Sequence, residues 1–168
     1  MVSDTHFNHS NILKFTNKEG ERIRPYWDTI KDHDWDLVER WNSVVKPQDK
    51  VYHLGDVYMN ASKGYIENLL SKLHGHKRLI LGNHDNGRDQ ILQKYFKKID
   101  VWRKFGEFGL LLTHVPVHES VLGETRFEGK RFINVHGHIH ANQSPPGPYT
   151  CVCVEHTNYT PVHIDELK

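Results

Sequence analysis

Apolar side chains at Trp27, Ile30, Leu37, Val38, Trp41, Val44 and Val45 recur at helical spacing, interrupted on the same stripe only by Asp34. The pattern predicts an amphipathic helix that Lys46-Pro47 ends. Beyond the Pro47-Gln48-Asp49 turn, Val51-Tyr52-His53-Leu54 reads as a short buried strand stopping at Gly55-Asp56. A second helix carries Ile66, Leu69, Leu70 and Leu73 on one face, with Gly75 placed to terminate it. Arg78-Leu79-Ile80-Leu81 forms the next apolar strand and breaks at Gly82, and Ile91, Leu92, Tyr95, Phe96 and Ile99 suggest a third helix.

The later half changes character. Strands are expected over Val101 to Phe105, Gly109 to Thr113, Phe132 to His136, Tyr149 to Val154 and Pro161 to Ile164. The order, helices alternating with strands first and a strand-rich part later, predicts a layered α/β domain. The Ala141 to Pro148 connection holds three prolines and one glycine and is expected to be a rigid loop. Its sequel is too short to fold alone, so residues 1–168 are read as one domain.

Five polar clusters stand where apolar runs stop: Asp4-Thr5-His6, Gly55-Asp56, Gly82-Asn83-His84-Asp85, Thr113-His114 and Gly137-His138-Ile139-His140. Loops at strand ends are where an α/β sheet presents a site. Asp4 and His6, like His138 and His140, are two residues apart, so an extended backbone would aim each pair to one side, as chelation needs. One Asp-x-His is weak evidence of a metal, but five such clusters, all with nitrogen or oxygen donors, point to a metal centre.

Composition sharpens this in one respect. The chain has 14 histidines among 168 residues, far more than a domain with 26% charged residues needs for folding, and histidine is a common metal ligand. A formal net charge of +1 provides no global field toward nucleic acid or an anionic membrane. No run approaches the roughly 20 apolar residues of a membrane span. With no basic and apolar leader after Met1, the cytoplasm is the expected compartment. Cys151 and Cys153 are expected to be buried free thiols rather than a metal or redox pair.

These residues resemble the calcineurin-like metallophosphoesterases, whose blocks run D-x-H, G-D, G-N-H-D/E, H and G-H-x-H in this order. The resemblance extends from Ser3 to about Ile164, and Ser3 to Phe7, Trp41 to Val45 and His53 to Asp56 look like a compact bacterial and phage branch without a cap domain. It implies a four-layer α/β/β/α sandwich with the site at the C-terminal ends of the strands. By that similarity Asp4, His6 and His140 would hold one divalent ion, Asn83, His114 and His138 a second, and Asp56 would bridge them, with a hydroxide shared between the metals. His84 would be the general acid toward the leaving alkoxide, with Asp85 orienting or charging it, and His9 would touch substrate together with Asn83 and His84. The alternative for His84 is a structural or capping histidine, and for Asp56 an ordinary turn aspartate.

The implied activity is hydrolysis of a phosphate monoester or diester, with a small phosphate ester, nucleotide or cyclic nucleotide as substrate. Two divalent ions are the implied cofactors; Mn²⁺ is favoured, and Fe, Zn²⁺, Ni²⁺ and Co²⁺ suit the same donors. The alternatives are a DNA or RNA nuclease of the same superfamily, against which short length and near-neutral charge count, and a non-catalytic metal-binding scaffold. The basic stretches Lys94 to Lys104 and Arg126 to Arg131 are read as solvated faces, and no membrane partner is expected. Two departures from the family pattern flank the first metal: the opening strand is only Met1-Val2-Ser3, and Asn8 replaces the usual glycine, so the first ion is expected to be the weaker.

Overall fold

The computed structural model describes residues 1–126 and 129–167, so Lys168, the end of the expected domain, lies outside the described residues. Thr29 starts the first helix, α1 (Ile30–Val44), by accepting a hydrogen bond from Asp32 N at its hydroxyl, which satisfies one of the orphan donors of the first turn. Strand β1 (Lys50–His53), helix α2 (Lys63–Lys72), strand β2 (His76–Ile80), helix α3 (Gln90–Tyr95) and strand β3 (Ile99–Asp100) follow. β1, β2 and β3 form one parallel sheet. The second sheet has the order β4 (Trp102–Phe105), β5 (Leu110–Thr113), β6 (Ile133–His136) and β7 (Tyr149–Cys151), parallel except for β4 against β5.

Alternation along β1 and β2 decides the layers. Val51 and Leu79 face the helices, together with Leu37, Val38 and Trp41 of α1 and Ile66, Leu69 and Leu70 of α2. Tyr52, Leu54 and Ile80 face the other way, onto Leu110, Leu112, Val135 and Val152 of the second sheet. The outer face of that sheet buries Leu111 under Leu122 and Phe132, which lie in the connection between β5 and β6. The expected α/β/β/α order is thus present, with its fourth layer reduced to irregular chain and one 3₁₀ turn, Glu119–Val121.

The opening residues join the two sheets. Val2 bridges His53 in parallel and Ser3 bridges Cys153 in parallel. Both sheets therefore direct their parallel strands the same way, and the loops after β1, β2, β5 and β6 emerge beside Asp4 at one end of the sandwich.

Three expected elements differ, the first being the strand from Tyr149 to Val154, which ends at Cys151 before a 3₁₀ turn at Val154–His156. The third helix stops at Tyr95, and Ile99 belongs to a strand, because the main chain from Lys97 onward bonds to the edge of β2 through Lys97 N to Lys77 O and Leu79 N to Lys98 O. Pro161 to Ile164 forms no strand: Pro161 has no N–H to donate, Val162 exchanges hydrogen bonds with Met1, and Ile164–Leu167 winds into a 3₁₀ turn. No helix among the described residues is long and apolar enough to cross a membrane.

Candidate metal centre

The strand-end loops bring the candidate ligands together in two groups among the described residues: Asp4, His6 and His140, and Asp56, His114 and His138, with ligand atoms within 4.8 Å of one another in each. Asn83 joins the second group, its Oδ1 lying 2.8 Å from His114 Nε2 and 2.9 Å from His138 Nδ1. Asp56 Oδ2 stands between the groups, 3.6 Å from His6 Nε2 and 3.5 Å from His114 Nε2.

The backbone that achieves this is not the extended one expected for Asp4-Thr5-His6 and His138-Ile139-His140. Asp4, His6, Asp56, His138 and His140 all have left-handed φ, between 49° and 71°. Such conformations cost about 1–3 kcal/mol each in a non-glycine residue and persist only where the surroundings enforce them. Asn8 is left-handed too, φ 60°, which explains why glycine would serve there; its amide nitrogen donates to the carbonyls of Met59 and Asn60 instead. The loops also approach one another more closely than a side chain would permit. A Cβ on Gly82 would collide with the Asp56 carboxylate, and one on Gly137 with Ser3 Oγ and the Asp4 carboxylate.

Three of the candidate ligands, His114, His140 and Asp4, are fixed by further contacts. His114 donates from Nδ1 to Leu54 O (2.7 Å), leaving Nε2 toward Asp56. His140 Nδ1 meets Glu155 Oε1 at 3.0 Å, and its Nε2 lies 3.9 Å from Asp4 Oδ1. Asp4 Oδ2 accepts from Ser3 Oγ, His138 N and Cys153 Sγ. His9, half buried, sets its Nδ1 3.2 Å from His6 Nδ1, so the structure places it against a candidate ligand. Burial, then His6 and His84, hold the His9 imidazole down at about 4.

Charge within the cluster is mutually supporting. Burial alone would raise the Asp4 and Asp56 carboxyls, but the surrounding imidazoles outweigh it and both lie below the ordinary carboxylate range. Burial lowers His6, whereas His114 and His140 are raised despite burial, by Asp56 and by Glu155 respectively.

His84 is exposed beside this cluster, its ring 5.9 Å from that of His6 and its N–H donating to Asp56 Oδ1 (3.0 Å). It belongs to neither ligand group. Asp85, expected to orient or charge His84, meets main chain in this structure. Its carboxylate accepts from the main-chain N–H groups of Asp56, Val57 and Gly82 and makes no hydrogen bond to His84 among the described residues. These three contacts let Asp85 lock the Gly55-Asp56 loop to the Gly82-Asn83 loop.

The calcineurin-like phosphoesterase profile matches residues 1–163. The chain belongs to the calcineurin-like phosphoesterases. Among its relatives are an uncharacterised protein of Methanocaldococcus jannaschii, 34% identical over 98% of this chain and 86% of its own length, and the gene 66 protein of Mycobacterium phage L5, 32% identical over 83% of this chain and 76% of its own. A solved structure from Aquifex aeolicus, described as a protein of unknown function, superposes with TM-score 0.71 at 27% identity, covering 99% of this chain and 97% of that one. In this calcineurin-like phosphoesterase the family blocks all converge on the two groups above.

Several supporting residues carry no motif. His53 is buried, with Nδ1 accepting from Gly55 N and Nε2 on Thr5 Oγ1, and Arg24, His33, Asp34 and Glu155 form a buried polar chain. The visible sign of the latter was Asp34, the one acid on the apolar stripe of α1. Cys151 and Cys153 are free thiols, the second buried and the first half buried.

Proposed function

We propose that this protein hydrolyses small phosphate esters with two divalent ions, one held by Asp4, His6 and His140, the other by Asn83, His114 and His138, and Asp56 shared between them. The observation that carries the reading is Asp56 Oδ2, set at nearly equal distances from His6 Nε2 and His114 Nε2. The donor set fits metal ions on a further ground. Asp4 Oδ1 and His6 Nε2 are buried, have no hydrogen-bond partner among the described residues and lie 3.6 Å apart. Two unsatisfied polar atoms left facing each other are costly unless a cation completes them.

Bound divalent ions would activate water near neutral pH and neutralise charge on the phosphoryl oxygens. The protein's own part is positioning and proton supply. Exposed His84, its main chain tethered to Asp56, gives a proton to the leaving alkoxide. Asn83 and His84 line the side from which substrate enters, and a nucleotide or cyclic nucleotide is the proposed substrate class.

The test is a reconstitution screen with Mn²⁺, then Fe, Zn²⁺, Ni²⁺ and Co²⁺, offering a generic phosphomonoester, a phosphodiester, cyclic nucleotides and single-stranded DNA. Turnover of an ester in a metal-dependent manner is expected; no hydrolysis with any metal would overturn the reading in favour of a scaffold. Asp56→Ala should lose at least one ion per chain by elemental analysis, and full occupancy would refute sharing.

A further inference from the structure

Arg24 lies outside every sequence block and is fully buried. Nε donates to Glu155 Oε1 at 2.9 Å and Nη2 to the Asp4 carbonyl at 2.5 Å, and Nη2 also lies 2.8 Å from Glu155 Oε1 in a buried ion pair. Nη1 donates to the Thr5 carbonyl at 3.0 Å and to His33 Nε2 at 2.9 Å. One guanidinium thus grips two consecutive carbonyls of the opening ligand loop, including that of left-handed Asp4. The carboxylate it anchors is the acceptor for His140 Nδ1.

The chain continues away from the site. An arginine can only donate, so His33 Nε2 accepts and its proton sits on Nδ1, which donates to Asp34 Oδ1 (2.8 Å). Asp34 Oδ2 accepts from Asn8 N (2.8 Å) and from the Tyr65 hydroxyl (2.9 Å). The buried charges are therefore tied to α1 and α2, the two best-packed helices, and the acid on the apolar stripe of α1 has its explanation. A buried guanidinium is costly unless it is paired and hydrogen-bonded, and here two of its partners reach the first group: the Asp4 carbonyl directly, and Glu155 through His140.

We propose that Arg24 and Glu155 are the positioning residues of the first metal group, preassembling Asp4, His6 and His140 before any ion arrives. This rests on the two-metal reading above. The opening loop is thus held on two sides: Asp4 N and His6 N donate to the carbonyls of Gly55 and Asp56, while the guanidinium takes the Asp4 and Thr5 carbonyls. Glu155 does for His140 what the Leu54 carbonyl does for His114, fixing the proton on Nδ1 and leaving Nε2 free for a cation.

The experiment is calorimetric titration of the full chain with Zn²⁺, comparing wild type, Glu155→Ala and Glu155→Gln, with apo-protein melting as control. Wild type should take two ions. Glu155→Ala should weaken one of them by about 10–100-fold, the usual loss for a partner of a ligating histidine, and leave the other unchanged. Glu155→Gln, whose amide oxygen still accepts from His140 Nδ1–H, should recover part of that loss. Two ions bound by Glu155→Ala at wild-type affinity, or both weakened together with a lowered apo melting point, would overturn the proposal. Should Glu155→Ala not fold, ¹⁵N imidazole spectra of apo wild type at alkaline pH decide the matter: His140 is expected as the Nδ1–H tautomer, and the Nε2–H tautomer would refute preassembly. Wild type that takes up no ion refutes the two-metal reading itself, an outcome distinct from unchanged binding in the variant.

Discussion

At the scale of single residues, adjacent positions divide their work by what their atoms meet. Asn83 turns its amide oxygen to two imidazoles, His84 next to it remains exposed, and Asp85 accepts from three main-chain donors. His84→Ala is therefore expected to retain both metal ions and to lose about 10²–10⁴-fold in turnover, the range for loss of a general acid. Elemental analysis beside steady-state kinetics checks this, and unchanged turnover would return His84 to a structural role. His53 supplies a pH test unconnected with turnover. Burial depresses its imidazole from 6.5 to about 3, so between those values the unfolded chain binds a proton that the folded chain does not. Stability should rise with pH across that window and be fully present above 6.5. Melting points of wild type and His53→Gln followed from acid to neutral pH should converge at the acid end; parallel curves would count against it.

At the scale of elements, short strands matter mainly as launching points for loops. β1, β2, β5 and β6 have only four or five residues each, yet all end at the same edge and each hands over to candidate ligands. What brings the loops to bonding distance is the absence of side chains at Gly82 and Gly137. Gly137→Ala puts a methyl group into the Asp4 carboxylate and Ser3, both buried and unable to yield cheaply. It should cost about 1–3 kcal/mol of stability, as overpacking does, and weaken the first ion more than the second. Denaturant melts and metal titration measure the two effects separately.

At the scale of the whole molecule, the candidate centre joins parts that nothing else connects so directly. Asp4 lies at the junction of both sheets, Asp56 and Asn83 come from the first, and His114, His138 and His140 from the second. Metal binding is therefore expected to be a stabilising linkage across the sandwich. Ions that bind only the folded chain add about 2.7 kcal/mol when free metal is a hundredfold above Kd. Removing them with a chelator should lower Tm by several degrees and restoring them should reverse it; a Tm indifferent to chelation would mean that the loops are held by protein contacts alone.

Read alone, the amino-acid order determined the α/β layering, the family and the ligand candidates, because these depend on local chemistry: apolar periodicity selects elements, and donor residues cluster where apolar runs stop. Tertiary structure alone decided the rest. Ile99 became a strand because an edge of β2 was available to it, and Pro161 to Ile164 did not, since Val162 meets only the short Met1 end and the chain then turns into a 3₁₀ helix at Ile164. The left-handed turns that aim Asp4, His6 and His140 are likewise set by partners far along the chain. Arg24 and Glu155 are separated by 131 residues, and no local pattern can announce a pairing whose two members meet only when both sheets have closed.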